Sequence, residues 1–224
     1  MPVWAPPARL VPPSAATLVV YRAAVANFAG HEARLLALLT PDERARAARY
    51  LRPPDRTRFV VGRGGLRALL GPLLELPPPA VPLVTNAFGK PQLAAPAGIQ
   101  FNVAHSGNWV LLALGARPVG IDVEEVQAGF DFAAVAAARF SAAEQEEIAR
   151  APDSRAAFYA RWTRHEARAK AAGHGLADDA ANDPSGDWMV HSFPAAPGYP
   201  AALAYPADWQ PVVTFCAFGT AWLG

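Results

Sequence analysis

Seven residues, Val119-Gly120-Ile121-Asp122-Val123-Glu124-Glu125, most constrain what this chain can become. Ile121, Asp122, Val123 and Glu124 alternate apolar and acidic, the period-2 pattern of a strand with one greasy and one polar face. Asp122 and Glu124 are two apart, so both carboxylates leave the sheet on the same side. Two like charges held that close repel unless a cation or positive side chains stand between them. Pro118 and Gly120 just upstream predict a turn that opens a new unit there.

A second stretch answers the first. Phe158 to Lys170 is made mostly of good helix formers with no internal Gly or Pro, and it predicts a helix. Trp162, Glu166 and Lys170 stand at i, i+4 and i+8, one above another on a single face that Phe158 extends backwards. A carboxylate beneath two aromatic rings sits where a packed helix would place an apolar residue, and left unpaired it would cost several kcal/mol. The simplest resolution is that Glu166 joins Asp122 and Glu124 around a hard divalent cation. Lys170 would then face the phosphates that such a cation holds.

The 224 residues suffice for one large domain or two small lobes, and with 52% hydrophobic residues a substantial core can form. A net charge of +1 gives no sign of nucleic-acid binding, and the basic residues lack aromatic interleaving. Cys216 is the only cysteine, which forbids an intrachain disulfide and fits a reducing compartment. The N-terminus lacks a charged region followed by an apolar run, and no apolar stretch approaches membrane-spanning length, so the expectation is a cytoplasmic protein without a membrane partner.

Along the chain, residues 1–16 read as an extended surface segment and Thr17–Tyr21 as the first strand. A helix is expected around His31–Leu39. Thr40-Pro41-Asp42-Glu43 is a capping box that opens another, which should stop before Pro53-Pro54. Asp55–Leu70 reads as a longer helix softened by Gly62, Gly64 and Gly65. Arg44, Arg46, Arg49, Arg52, Arg56, Arg58, Arg63 and Arg67 crowd this half; they form either a solvated face or a cradle for a polyanion. Ile99–Val103 and Trp109–Leu114 read as strands, with His105-Ser106-Gly107 between them offering backbone N–H groups to a phosphate. Gly115–Pro118 is the expected boundary, dividing the chain at 1–115 and 116–224. Phe132–Arg139 reads as a helix, and Ser141–Glu144 is a second capping box for a helix to about Arg150. Asp153 or Ser154 caps the helix carrying Glu166, and Gly173 with Gly175 ends it. A polar loop over 177–187 precedes strands at Trp188–Phe193, Ala201–Tyr205 and Pro211–Phe218.

Val119–Glu124 and Trp162-Thr163-Arg164-His165-Glu166-Ala167 with Lys170 resemble the two signature motifs of the 4′-phosphopantetheinyl transferases, in the larger, single-chain, Sfp-like type. Phe88-Gly89-Lys90-Pro91 and Phe101–Gly107 resemble two further motifs of that family, and all four occur in the family's order. The resemblance implies an α+β (α/β) fold of two similar lobes related by a pseudo-two-fold, with the active site in the cleft between them. Each half does carry a capping box, a short helix, a longer helix beginning near Phe59 or Phe158, and then strands. It also implies transfer of the phosphopantetheine arm of coenzyme A to a serine of an apo acyl or peptidyl carrier protein. Coenzyme A is then the co-substrate and Mg2+ the metal, with Mn2+ as an alternative.

On that resemblance Asp122, Glu124 and Glu166 are the metal ligands, and Glu166, Lys170 and His105 the catalytic groups. Arg46, Arg58, Lys90, Ala104, His105, Ser106 and Lys170 are the coenzyme A contacts. The 1–115 lobe is the coenzyme A 3′-phosphate side and the 116–224 lobe the metal and pyrophosphate side. A monomer is the expected state. One departure stands out: the family usually has lysine before the motif's glutamate, and this chain has His165. That residue is the sequence support for a competing reading, a non-catalytic module that binds carrier protein or coenzyme A. A third reading, another magnesium-dependent phosphate enzyme, lacks a Gly-rich phosphate loop to carry it.

Overall fold

A computed structural model describes residues 1–7, 9–173 and 187–223 of the chain. Three sheets are present among these residues. The first has the order β4-β5-β1-β9, from β1 (Thr17–Ala24), β4 (Gln100–Ser106), β5 (Trp109–Gly115) and β9 (Val212–Ala217). β5 lies antiparallel to both β1 and β4, whereas β9 returns from the far end of the chain to run parallel to β1, pairing Thr17 with Val212. The second sheet has the order β6-β8-β7, from β6 (Gly120–Val123), β7 (Trp188–Ala196) and β8 (Tyr199–Pro206). A two-stranded hairpin of β2 (Leu83–Thr85) and β3 (Pro91–Leu93) carries the tight turn at Gly89, whose φ of 80° suits glycine.

Alternation along β1 explains how these sheets stack. Val19 and Tyr21 face one way, into a core shared with Leu66, Leu69 and Leu70 of α3 (Pro53–Leu73). Leu18 and Val20 face the other way and pack on Ile121, Val123 and Leu203 of the second sheet. The far side of that sheet is covered by α6 (Ser154–Ala172) through Ala167, Ala171, Ala202 and Ala204. The order of layers is therefore helix, sheet, sheet, helix. Two further short helices, α4 (Phe132–Arg139) and α5 (Ala142–Arg150), close an aromatic cluster of Phe140, Phe158 and Tyr159 beside α6.

Both capping boxes form as expected, at Thr40–Glu43 for α2 (Pro41–Ala48) and at Ser141–Glu144 for α5. Asp153 caps α6, and Gly173 ends it in the left-handed region. The expected helix at His31–Leu39 is the shorter α1 (Glu32–Ala37). α3 begins at Pro53 rather than Asp55, because two prolines with fixed φ suit a first turn whose N–H groups have no helical acceptor. Its glycines do not soften it: they are buried and bring the helix close to Leu35, Val103 and Leu112. Among its described residues the extended N-terminal segment makes two bridges, Ala5 to Cys216 and Ser14 to Thr17, and lays Trp4 on Phe215. The expected loop at 177–187 and Gly175 fall, apart from Asp187, outside the described residues. No helix among the described residues is long and apolar enough to cross a membrane.

Two expectations about the acidic stretch are corrected. Gly120 belongs to strand β6 rather than to a turn, and a Cβ there would lie 2.0 Å from Ala167 O and 2.3 Å from Ala171 N. The glycine is required because the backbone of α6 rests directly on it. For the same reason β6 has no solvated polar face: the side bearing Gly120 and Asp122 lies under α6, and all four residues of the strand are buried.

Candidate active site

The backbone contact at Gly120 brings α6 close enough for Lys170 to reach across to β6. Its Nζ donates to Asp122 Oδ1 at 2.6 Å. Asp122 is only 3% exposed, and its second oxygen, Oδ2, is buried with no hydrogen-bond partner among the described residues. Glu166, one turn before Lys170, is buried as well. Glu124, just past the end of β6, accepts a hydrogen bond from the Ser106 hydroxyl at 2.9 Å and lines a cleft together with Trp162 of α6. Three carboxylates from two elements are thus gathered about one lysine.

Their electrostatics follow from that crowding. Burial raises all three carboxyls. Asp122 pushes Glu124 up further, and Glu166 is pushed to about 7 by burial and its two acidic neighbours, against the pull of Lys170. Burial alone would lower Lys170, but Asp122, Glu166 and the hydrogen bond to Asp122 outweigh it and hold the ammonium above its ordinary value. An orphaned carboxylate oxygen beside two further acids is the kind of donor set that a hard divalent cation takes. As the side chains stand, no three His, Cys, Asp or Glu groups among the described residues converge into a metal-holding cluster. Lys170 holds Asp122 and Ser106 holds Glu124.

The basic candidates lie on the first sheet's side. Arg46 and Arg63 place their guanidinium groups over the Phe59 ring, at 5.2 and 5.9 Å. Arg46, Phe59, Gly89 and His105 share the lining of a small cleft of about 150 Å3. His105 ends this cleft within electrostatic reach of both Arg58 and Lys170. Arg58 is engaged with Asp55 and donates to Gly107 O at 3.1 Å. Ala104 is buried against the second sheet. Lys90 points inward, donating to Lys170 O at 2.5 Å and to Val119 O at 3.4 Å. Burial and the charge of Lys170 lower it to about 8. Of the eight crowded arginines, Arg67 is not solvated: it is 2% exposed and bonded to Glu43 and to the carbonyls of Pro78, Pro79 and Val81.

A larger, mostly apolar cleft of about 580 Å3 opens beside Glu124, between Phe130, Val135, Phe158 and Trp162. His165 faces away from the carboxylates and packs on Phe140 with ring centroids 5.8 Å apart. Sequence reasoning missed Asn102, whose side-chain oxygen accepts from Ile121 N at 2.8 Å. The signal was present: Asn102 and Ser106, four apart on one strand, share a face on which only Ala104 stands between them.

The lysine among these three acids thus stands within electrostatic reach of His105, which lies with Arg46 and Arg63 on the first sheet's side. Comparison with known proteins adds to this geometry. The profile of the 4′-phosphopantetheinyl transferase superfamily matches residues 118–201, and that of the 4′-phosphopantetheinyl transferase N-terminal region matches residues 30–117. The chain is 39% identical over 149 residues to 4′-phosphopantetheinyl transferase HetI of Nostoc sp. (strain PCC 7120), covering 64% of this chain and 63% of that protein. It is 31% identical over 151 residues to a 4′-phosphopantetheinyl transferase of Bacillus subtilis, with 66% of each covered. To 4′-phosphopantetheinyl transferase Sfp of Bacillus subtilis (strain 168) it is 28% identical over 94 residues, 42% of each. The chain belongs to the 4′-phosphopantetheinyl transferase superfamily. It spans less than two thirds of the length of the relatives it matches.

Proposed function

We propose that this protein transfers the 4′-phosphopantetheine arm of coenzyme A to a serine hydroxyl of an apo acyl or peptidyl carrier protein, releasing adenosine 3′,5′-bisphosphate. The observation that carries this reading is the gathering of Asp122, Glu124 and Glu166 around Lys170, with a buried oxygen of Asp122 left without a partner. In a chain of this family that donor set suits Mg2+, with Mn2+ as an alternative. The ion would supply positive charge to the pyrophosphate of coenzyme A.

The protein's own groups supply the rest. In phosphoryl-type transfer, positioning and charge neutralisation dominate. Lys170 and His105 take the negative charge that builds on the leaving phosphate. Arg46 and Arg58 receive the 3′-phosphate end, with the backbone of Ala104–Ser106 and Lys90 beside the nucleotide. The serine oxygen bonds to the pantetheine-bearing phosphorus as the bond to the bisphosphate oxygen breaks. The serine proton passes to Glu166, either directly or through water. The same reading divides the chain into a nucleotide side, 1–115, and a metal side, 116–224, as two related lobes. The meeting of the two matched profiles between 117 and 118 favours this division. The protein would act in the cytoplasm as a monomer. The packing of His165 on Phe140 favours activity over a non-catalytic module, because the departure at 165 does not touch the Asp122–Lys170 pair.

Intact mass of an apo carrier incubated with this protein, coenzyme A and Mg2+ tests the reading. The expected result is a gain of one phosphopantetheine, lost with EDTA and reduced at least about 100-fold in rate by Asp122→Ala. No gain on fatty-acid, polyketide and peptide carriers alike would overturn it.

A further inference from the structure

β6 is the edge strand of its sheet, so alternate N–H groups along it point away from β8 and need other acceptors. One of them, and a further N–H just past the strand's end, are met by side chains of β4 rather than by its backbone. Asn102 accepts from Ile121 N at 2.8 Å, and Ser106 Oγ accepts from Glu125 N at 3.0 Å. The second contact has a consequence that the first lacks. A hydroxyl has one proton, and an N–H directed at its lone pair fixes where that proton goes. At Ser106 it goes to Glu124 Oε2 at 2.9 Å.

We propose that Ser106 is a positioning residue for Glu124, restraining its carboxylate beside the end of β6, rather than a phosphate contact. The inference rests on the reading of Asp122, Glu124 and Glu166 as cation ligands. A phosphate oxygen can only accept, and the single Ser106 proton is already given to Glu124. To bind phosphate, Ser106 would have to release the carboxylate that the reaction needs in place. Glu124 also has three side-chain torsions, although its backbone N–H is tied to Pro200 O at 3.1 Å. Without the hydroxyl it would be one of many rotamers, and collecting it into a ligand set would cost conformational freedom.

The test is a Mn2+ titration followed by electron paramagnetic resonance, on the full chain with saturating coenzyme A. Coenzyme A affinity is measured separately by calorimetry without metal. Ser106→Ala is expected to weaken Mn2+ binding about 10- to 100-fold and leave metal-free coenzyme A affinity unchanged. Ser106→Thr, which keeps the hydroxyl, should restore most of the metal affinity. Should the alanine variant melt early, Ser106→Cys keeps the size without the strong donor and should shift binding in the same direction. A loss of coenzyme A affinity with Mn2+ binding intact would make Ser106 a phosphate contact and overturn the proposal, as would no change in either. Absence of Mn2+ binding by the wild-type chain would instead remove the cation reading beneath it.

Discussion

Gly120→Ala is the substitution with the sharpest expected outcome. The new Cβ would lie 2.0 Å from Ala167 O and 2.3 Å from Ala171 N, and both obstacles are backbone atoms of α6 that no rotamer change can move. Raising the shorter distance to the 3.0 Å floor of ordinary Cβ contacts needs about 1 Å of movement between β6 and α6. Overpacking of this kind typically costs about 1–3 kcal/mol, and the upper end applies where a whole helix must shift. Lys170 lies between the two obstructing residues, so its 2.6 Å bond to Asp122 would stretch towards about 3.6 Å, outside hydrogen-bonding range. A 1 Å misplacement at a reacting centre costs on the order of 100-fold in rate. Urea unfolding and carrier-mass assays on the same preparation give both quantities. Gly129→Ala, with nothing near its new methyl, is the control and should stay within about 0.5 kcal/mol. A Gly120→Ala protein with wild-type stability and turnover would refute the claim that backbone contact sets the site.

Glu166 offers a pH test on metal-free protein. Its carboxyl is raised from 4.5 to about 7 in the folded chain, so folding favours the protonated form. This contribution is fully present below pH 4.5 and is lost as pH rises towards about 7, up to about 3 kcal/mol. Thermal melts across that range should fall with rising pH, and Glu166→Gln should flatten the fall; an unchanged slope would contradict the burial argument. Arg67→Met strips Glu43 of its most buried partner, leaving it Arg63, and takes a donor from the carbonyls of Pro78, Pro79 and Val81, and denaturant unfolding should show a loss of about 3–5 kcal/mol. Adding Glu43→Gln should recover part of it.

Much of this site was legible in the sequence because its residues obey simple periods. The i, i+4, i+8 ladder of Trp162, Glu166 and Lys170 and the capping signals at Thr40, Ser141 and Asp153 are local, and the structure keeps them. What a local pattern could not carry is which surface covers which. Asp122 reads as the polar face of a strand, and only the packing of α6 on Gly120 makes that face interior. Arg67 reads as one charge among eight, yet the fold buries it because Glu43, held in a capping box, faces it from α2. Ser106 reads as a loop hydroxyl until β4 is laid beside the edge of β6.

The parallel pairing of β1 with β9 sets a condition on synthesis. Leu18 to Tyr21 leave the ribosome early, but the strand that completes their sheet, Val212–Ala217, is translated almost two hundred residues later. Until then β1 presents an apolar open edge of the kind that recruits strands from other chains. A nascent chain stalled or cleaved before Val212 would keep that edge exposed, with Phe218 and Leu223 missing from the core they share with α3. Yield in cells should therefore depend on how long this edge is shielded before the last strand arrives.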